Sequence, residues 1–127
     1  MNQVLRGQVV AGSALGRQLG FPTANLTAWT GDLPAWGVYE VEAVWEGAAH
    51  PALCDVGVRP TVGPRGTVRV EVHVPGFKGD LLGKELTVRF VRKIRDERKF
   101  ASLDELAAQI RKDVAALQSH LPSRKPQ

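Results

Sequence analysis

Apolar and polar positions alternate with a period of two over most of the chain before residue 95, and the period changes once, near residue 100. Between Val38 and Trp45, the side chains of Tyr39, Val41, Ala43 and Trp45 fall on one side of an extended segment, with Glu40 and Glu42 on the other. Thr67–Val74 alternates more cleanly: Val68, Val70, Val72 and Val74 share one face, and Arg69, Glu71 and His73 share the opposite one. Leu86–Ile94 predicts a third strand, Arg6–Ala11 and Ala52–Val58 two more, and Thr23–Leu26 a short sixth, with Gly- and Pro-rich breaks between them. Beyond Phe100, Leu103, Leu106, Ile110, Val114 and Leu117 recur at helical spacing, and Ser102 followed by Glu105 is a capping-box start for that helix. Strands first and one helix afterwards predict a small antiparallel barrel, closed to remove its edges, with the helix packed outside. This unit is expected to span residues 1–120, leaving 121–127 as a basic, proline-containing tail.

A length of 127 residues suits one such domain, and 43% hydrophobic with 24% charged residues excludes a disordered chain. Cys54 is the single cysteine, so no disulfide can form within the chain, which suits a reducing compartment. The N-terminal residues carry no apolar segment of signal-peptide length, and no apolar run reaches the length of a membrane-spanning helix. A cytoplasmic, soluble protein that engages no membrane is therefore expected. The net charge of +4 is uneven. Residues 1–64 hold 3 basic and 5 acidic side chains, a net −2; residues 65–127 hold 14 and 8, a net +6. The second half calls for an anionic partner, and charge alone does not choose among nucleotide, phosphorylated metabolite and nucleic acid.

Common nucleotide and metal motifs are missing: the chain has no Walker loop, no G-x-G-x-x-G, no H-E-x-x-H and no C-x-x-C. The densest chemical signal runs from Gly12 to Asn25, where Gly12, Gly16 and Gly20 recur every four residues with Arg17 among them. Such a loop can bring backbone N–H groups close to an anion. Pro22 stiffens the chain before Thr23 and Asn25, whose neutral oxygens at i and i+2 suit Mg²⁺ that also binds phosphate. A plain Gly-rich turn capped by Thr and Asn explains the same residues. Glu71 shares its strand face with Arg69 and His73, where it is either a proton acceptor for a substrate hydroxyl or part of a solvated face. Arg89–Phe100 is rich in Arg and Lys beside an aromatic at the strand-to-helix junction, suited to gripping phosphate or stacking on a planar ring.

Taken in order, Gly7–Gly12, Gly16–Asn25, Gly37–Tyr39, Asp55–Thr61, Val70–His73 and Ile94–Phe100 resemble the riboflavin kinase family over about Arg6–Leu117. The combination of P-T-A-N, a downstream E-x-H and a terminal R-x-E-x-x-F is specific. The resemblance implies a six-stranded antiparallel Greek-key barrel with a C-terminal helix packed outside. It implies an ATP-dependent kinase that phosphorylates the ribityl 5′-hydroxyl of riboflavin to give FMN. By the same resemblance Glu71 is the catalytic carboxylate, and Thr23 and Asn25 hold the Mg²⁺–nucleotide. Gly12 and Arg17 belong to the loop over the ATP phosphates, Val74 to the adenine side, and Arg95, Arg98 and Phe100 to the segment closing over the flavin.

The chain departs from the family pattern at three points. Leu82 stands where D-L-Y-G has tyrosine, implying weaker adenine contacts; Pro75-Gly76 implies an early end to the E-x-H strand; and Asp55 stands where asparagine is common. Many bacterial members are fused to an N-terminal adenylyltransferase that makes FAD, so the chain reads as a stand-alone kinase or as the kinase domain of such a protein. Two other readings are a catalytically weak flavin- or nucleotide-binding relative and a small β-barrel that binds nucleic acid. The low aromatic content, 6%, speaks against nucleic acid as partner.

Overall fold

The valine alternation produces strands whose inner faces meet, and the sheet they form closes on itself. The computed structural model describes residues 1–11, 20–59 and 67–120. Six strands, β1 (Val4–Ala11), β2 (Ala24–Thr30), β3 (Gly37–Trp45), β4 (Ala48–Arg59), β5 (Thr67–His73) and β6 (Glu85–Arg95), precede a helix, α1 (Leu103–His120). All pairings are antiparallel, in the order β1-β2-β5-β4-β3-β6 with β6 returning to β1. Three consecutive strands, β3, β4 and β5, with β6 beside β3, make the Greek key. The six-stranded Greek-key barrel with an outer helix is thus observed.

The inside is filled from every strand, by Leu5, Leu26, Val41, Val56, Val70 and Val88 among others, all at most 2% exposed. Val68, Val70, Val72 and Val74 pack into or against this core, as their spacing predicts. A two-residue turn joins β3 to β4. Both of its residues, Glu46 and Gly47, have positive φ (50° and 81°), the geometry that matches strand twist in tight hairpins. β4 begins at Ala48, four residues before the predicted strand, and β2 runs on to Thr30, because pairing with neighbours extends strands past their clearest alternation. β5 ends at His73, where Pro75 and Gly76 (φ 80°) turn the chain and the Phe77 N–H donates to the Val74 carbonyl.

The helix starts as the capping box predicts, with the Glu105 N–H donating to Ser102 Oγ at 3.2 Å. Ala107, Asp113 and Leu117 are buried against the barrel, while Leu103, expected in the apolar stripe, is 51% exposed at the helix start. Two ion pairs tie α1 and β3 to β6. Arg92 Nε donates to Glu40 Oε1 at 2.7 Å and its Nη2 to the Ala116 carbonyl. Arg95 grips Asp113 with Nε and Nη2 at 2.9–3.1 Å. The outer face of β3 therefore lies under cover: Glu40 is 1% and Val38 5% exposed.

Candidate active site

Barrel register places one residue of each of five strands in a row. Asn25 pairs with Glu71, Glu71 with Asp55, Asp55 with Val38 and Val38 with Arg95. Directly paired residues point to the same side of a sheet, and here that side is the outside, beneath α1 and the 96–102 segment. A cleft of about 690 Å³ opens along this row, bounded by Thr23, Asp55, Arg69, Glu71, Phe100 and Ile110 among others. Its volume lies in the range of sites that hold a drug-sized ligand.

A second pocket of about 240 Å³ lies beside it, lined by Val9, Pro22, Val74, Phe77 and Leu82. Thr23 lines both, so the two recesses meet at this residue. The His73 ring fixes the chain here. Its Nδ1–H donates to the Pro22 carbonyl at 2.8 Å, and Phe21 packs edge-on against it. Thr23 Oγ1 consequently sits 3.5 Å from Glu71 Oε2. Glu71 is only 9% exposed.

Arg69, two residues before Glu71 and on the same face, is the hub of the charges. Its Nη2 lies 3.1 Å from Asp55 Oδ2 and 3.2 Å from Glu97 Oε1, and its Nε lies 3.6 Å from Glu71 Oε1. The last distance is an ion pair without a hydrogen bond, so Arg69 Nε is buried with no hydrogen-bond acceptor. Gly57 makes room for the cluster: a Cβ there would stand 2.5 Å from Glu97 Oε1. Burial foremost, and then a hydrogen bond to Asp55 and its charge, push the Glu97 carboxyl up to about 8, against the opposing pull of Arg69 and Arg95. A protonated Glu97 can donate to Asp55, whose Oδ1 is otherwise buried without a donor, and accept from Arg69.

The predicted residues separate into groups. Thr23 and Glu71 come together where the two recesses meet, whereas Asn25 lies opposite Glu71 in the β2–β5 register and lines neither recess. Val74 lies in the smaller pocket beside Phe77 and the 56%-exposed Leu82. Arg95, Arg98 and Phe100 line the large cleft, with the two guanidinium groups 5.7 and 4.6 Å from the Phe100 ring centre. Arg95 is committed to Asp113, and Arg98 donates to Gln109. Gly12 and Arg17 fall outside the described residues, as does the 121–127 tail. Asp55, Arg69 and Glu97 were not predicted as site residues. The available signal was parity, which puts Arg69 on the face of Glu71, together with the unusual aspartate at 55.

Among the described residues no three His, Cys, Asp or Glu side chains converge on a metal position. The oxygen donors of Thr23 and Asn25 next to Glu71 fit a hard cation that takes its remaining ligands from water and phosphate.

The riboflavin kinase family model matches residues 2–121. The chain is 45% identical over 112 residues to the bifunctional riboflavin kinase/FMN adenylyltransferase of Pseudomonas fluorescens, covering 88% of this chain and 36% of that protein. It therefore spans about a third of the length of that relative. Among solved structures, riboflavin kinase from Trypanosoma brucei matches with a TM-score of 0.65 and 26% identity, over 100% of this chain and 83% of that one. A Streptococcus pneumoniae protein solved under the name macrolide-efflux protein matches with a TM-score of 0.81 and 34% identity, over 91% of this chain and 38% of that one. No described helix of the present chain is long and apolar enough to cross a membrane. With a family model that takes in all six strands and the helix, the chain belongs to the riboflavin kinase family.

Proposed function

We propose that the chain transfers the γ-phosphate of ATP to the ribityl 5′-hydroxyl of riboflavin, giving FMN and ADP. One observation carries this reading: a large cleft and a small pocket meet at Thr23, with the buried carboxylate of Glu71 beside the junction. A phosphoryl transfer between two bound substrates needs such an arrangement, one recess for each and a proton acceptor between them.

In this reading the isoalloxazine ring occupies the cleft under Phe100, flanked by Arg98, and the ribityl chain runs toward Glu71. Glu71 accepts the proton of the 5′-hydroxyl as it attacks the γ-phosphorus. The nucleotide lies in the smaller pocket, with its base against Val74 and Phe77. Phe77 offers an aromatic face there although Leu82 does not, and Gly79 leaves space for its ring, which a Cβ would meet at 2.5 Å. Thr23 and Asn25 would hold Mg²⁺ with the phosphates, where the ion supplies charge to offset that of the transferring group. Gly12 and Arg17 are assigned to the phosphate-covering loop by the family resemblance. The enzyme would work in the cytoplasm and pass FMN to an FMN adenylyltransferase, an activity named for the Pseudomonas fluorescens relative.

The test is chromatographic. Incubated with riboflavin, ATP and Mg²⁺, the chain is expected to form FMN, and Glu71→Gln to keep riboflavin binding while losing about 10²–10⁴-fold in turnover. A folded wild-type chain that binds riboflavin and forms no FMN would instead be a flavin-binding relative. Near-wild-type turnover by Glu71→Gln would remove Glu71 from the chemistry.

A further inference from the structure

We propose that Trp45 is a positioning residue for the nucleotide: stacked on His50, it backs the Phe77 ring and so fixes the wall against which the base lies. The inference rests on the reading that the nucleotide occupies the smaller pocket. That pocket reaches the barrel core, with the buried side chains of Val9, Val72, Val74 and Leu81 among its lining. Its aromatic wall is Phe77, just beyond β5, whose side chain packs on the core and whose N–H donates to the Val74 carbonyl. Leu82 lines the same pocket, is exposed and supplies no ring. The hold on Phe77 therefore decides how well an aromatic face is presented to the base.

Three rings from three parts of the chain meet behind that wall. Trp45 ends β3 and His50 lies on β4; Trp45 pairs with Ala48 and Ala43 with His50, so the two rings stand diagonally on one face of the sheet. Their centres are 3.9 Å apart and their planes 9° from parallel. The Phe77 ring meets the indole edge-on, at 5.1 Å and 69°. Gly79 lies against the tip of the same ring, where only its missing Cβ leaves room. Trp45 is 8% exposed, and His50 Nδ1 is buried with no hydrogen-bond partner among the described residues, so stacking rather than a bond through Nδ1 holds the imidazole. The β3–β4 turn has a second tie to the pocket rim, Lys84 Nζ to Glu46 Oε2, but that pair is exposed and contributes little. An indole clamped by the imidazole gives Phe77 nothing to retreat into. A ring fixed before the base arrives lowers the ordering cost of binding.

The experiment measures ATP KM, riboflavin KM and kcat, with Mg²⁺–ADP affinity by titration calorimetry as a readout that does not need turnover. Phe77→Leu and Trp45→Leu are each expected to raise ATP KM and weaken Mg²⁺–ADP by about 3–10-fold, the size of an aromatic contact, with riboflavin KM and kcat changing much less. A loss of packing alone would lower the folded fraction and with it kcat, leaving ATP KM where it was. Trp45→Phe, which keeps an aromatic edge, should recover most of the affinity. Trp45→Leu placed on Phe77→Leu should add little, because Trp45 acts through that ring. If Phe77→Leu weakens Mg²⁺–ADP and folded Trp45→Leu does not, the proposal is overturned and the pocket assignment stands. If Phe77→Leu itself changes nothing, the assignment of the base to this pocket falls and the proposal with it. Should Trp45→Leu not fold, His50→Ala removes the stacked ring and keeps the indole; Mg²⁺–ADP affinity is expected to drop, and an unchanged value overturns the proposal. Absence of FMN from wild type overturns the kinase reading instead, and the Mg²⁺–ADP affinities still decide what Trp45 does.

Discussion

Glu97 sits where a carboxylate is costly to keep charged. It is partly buried beside Asp55, and the Arg69 and Arg95 charges only partly compensate, so its carboxyl is pushed from 4.5 up to about 8. The folded protein therefore holds a proton between these values that the unfolded chain has already lost. Stability from this group is accordingly lost as pH rises from about 4.5 and levels off above about 8. Glu97→Gln keeps the shape, with the amide donating to Asp55 and its carbonyl accepting from Arg69, and removes the titration. Its Tm is expected to match wild type near pH 4.5 and to exceed it by a growing margin up to pH 8. A difference that stays constant across that range would show that Glu97 titrates as an ordinary glutamate. Little of this was legible in the sequence. Glu71 stood out by its place between Val70 and Val72, but Asp55 and Glu97 are 42 residues apart and meet only because β4 and the 96–102 segment flank the same cleft.

Whole elements carry their own charges, and α1 is held to the barrel by one of them. Asp113 is 2% exposed and receives a two-pronged grip from Arg95, with Gln109 Nε2 donating to Asp113 Oδ1 as well. Removing one partner of such a pair leaves the other buried and uncompensated, so Asp113→Ala should cost about 3–5 kcal/mol in denaturant unfolding. Glu46→Ala, which breaks the exposed pair with Lys84, should cost under about 1 kcal/mol. Equal effects would mean that burial does not set the strength of these contacts. The helix itself was readable from Ser102, Glu105 and its apolar spacing, because capping and periodicity are local. Asp113 was not, since a charged residue on a helix reads as solvent-facing until Arg95 is known to lie opposite. Leu103 erred the other way: its spacing fits the stripe, but the first turn lies at the cleft mouth rather than on the barrel.

For the whole molecule, the architecture was more legible than the chemistry, because a barrel is written in the alternation of every strand whereas the charge cluster exists only after closure. Val68, Val70 and Val72 point inward by parity alone; their partners on β2 and β4 follow from the Greek-key order that the family resemblance implied. Closure also removes local routes to the core. Cys54 lies in β4, between β3 and β5, is 0% exposed, and has its thiol pushed well up, chiefly by burial and further by the nearby Asp55 and Glu71 charges. A thiol so placed reacts only when the barrel opens. A thiol reagent should therefore label native Cys54 slowly, in proportion to the small equilibrium population of opened molecules. Because α1 packs on β4 and is tied to β6 through Arg92 and Arg95, helix and barrel are expected to open together. Asp113→Ala should then speed labelling by about 10²-fold or more, in line with its loss of equilibrium stability. A labelling rate that ignores Asp113→Ala would mean that the helix leaves the barrel without opening it, making α1 a separately folding unit over the cleft.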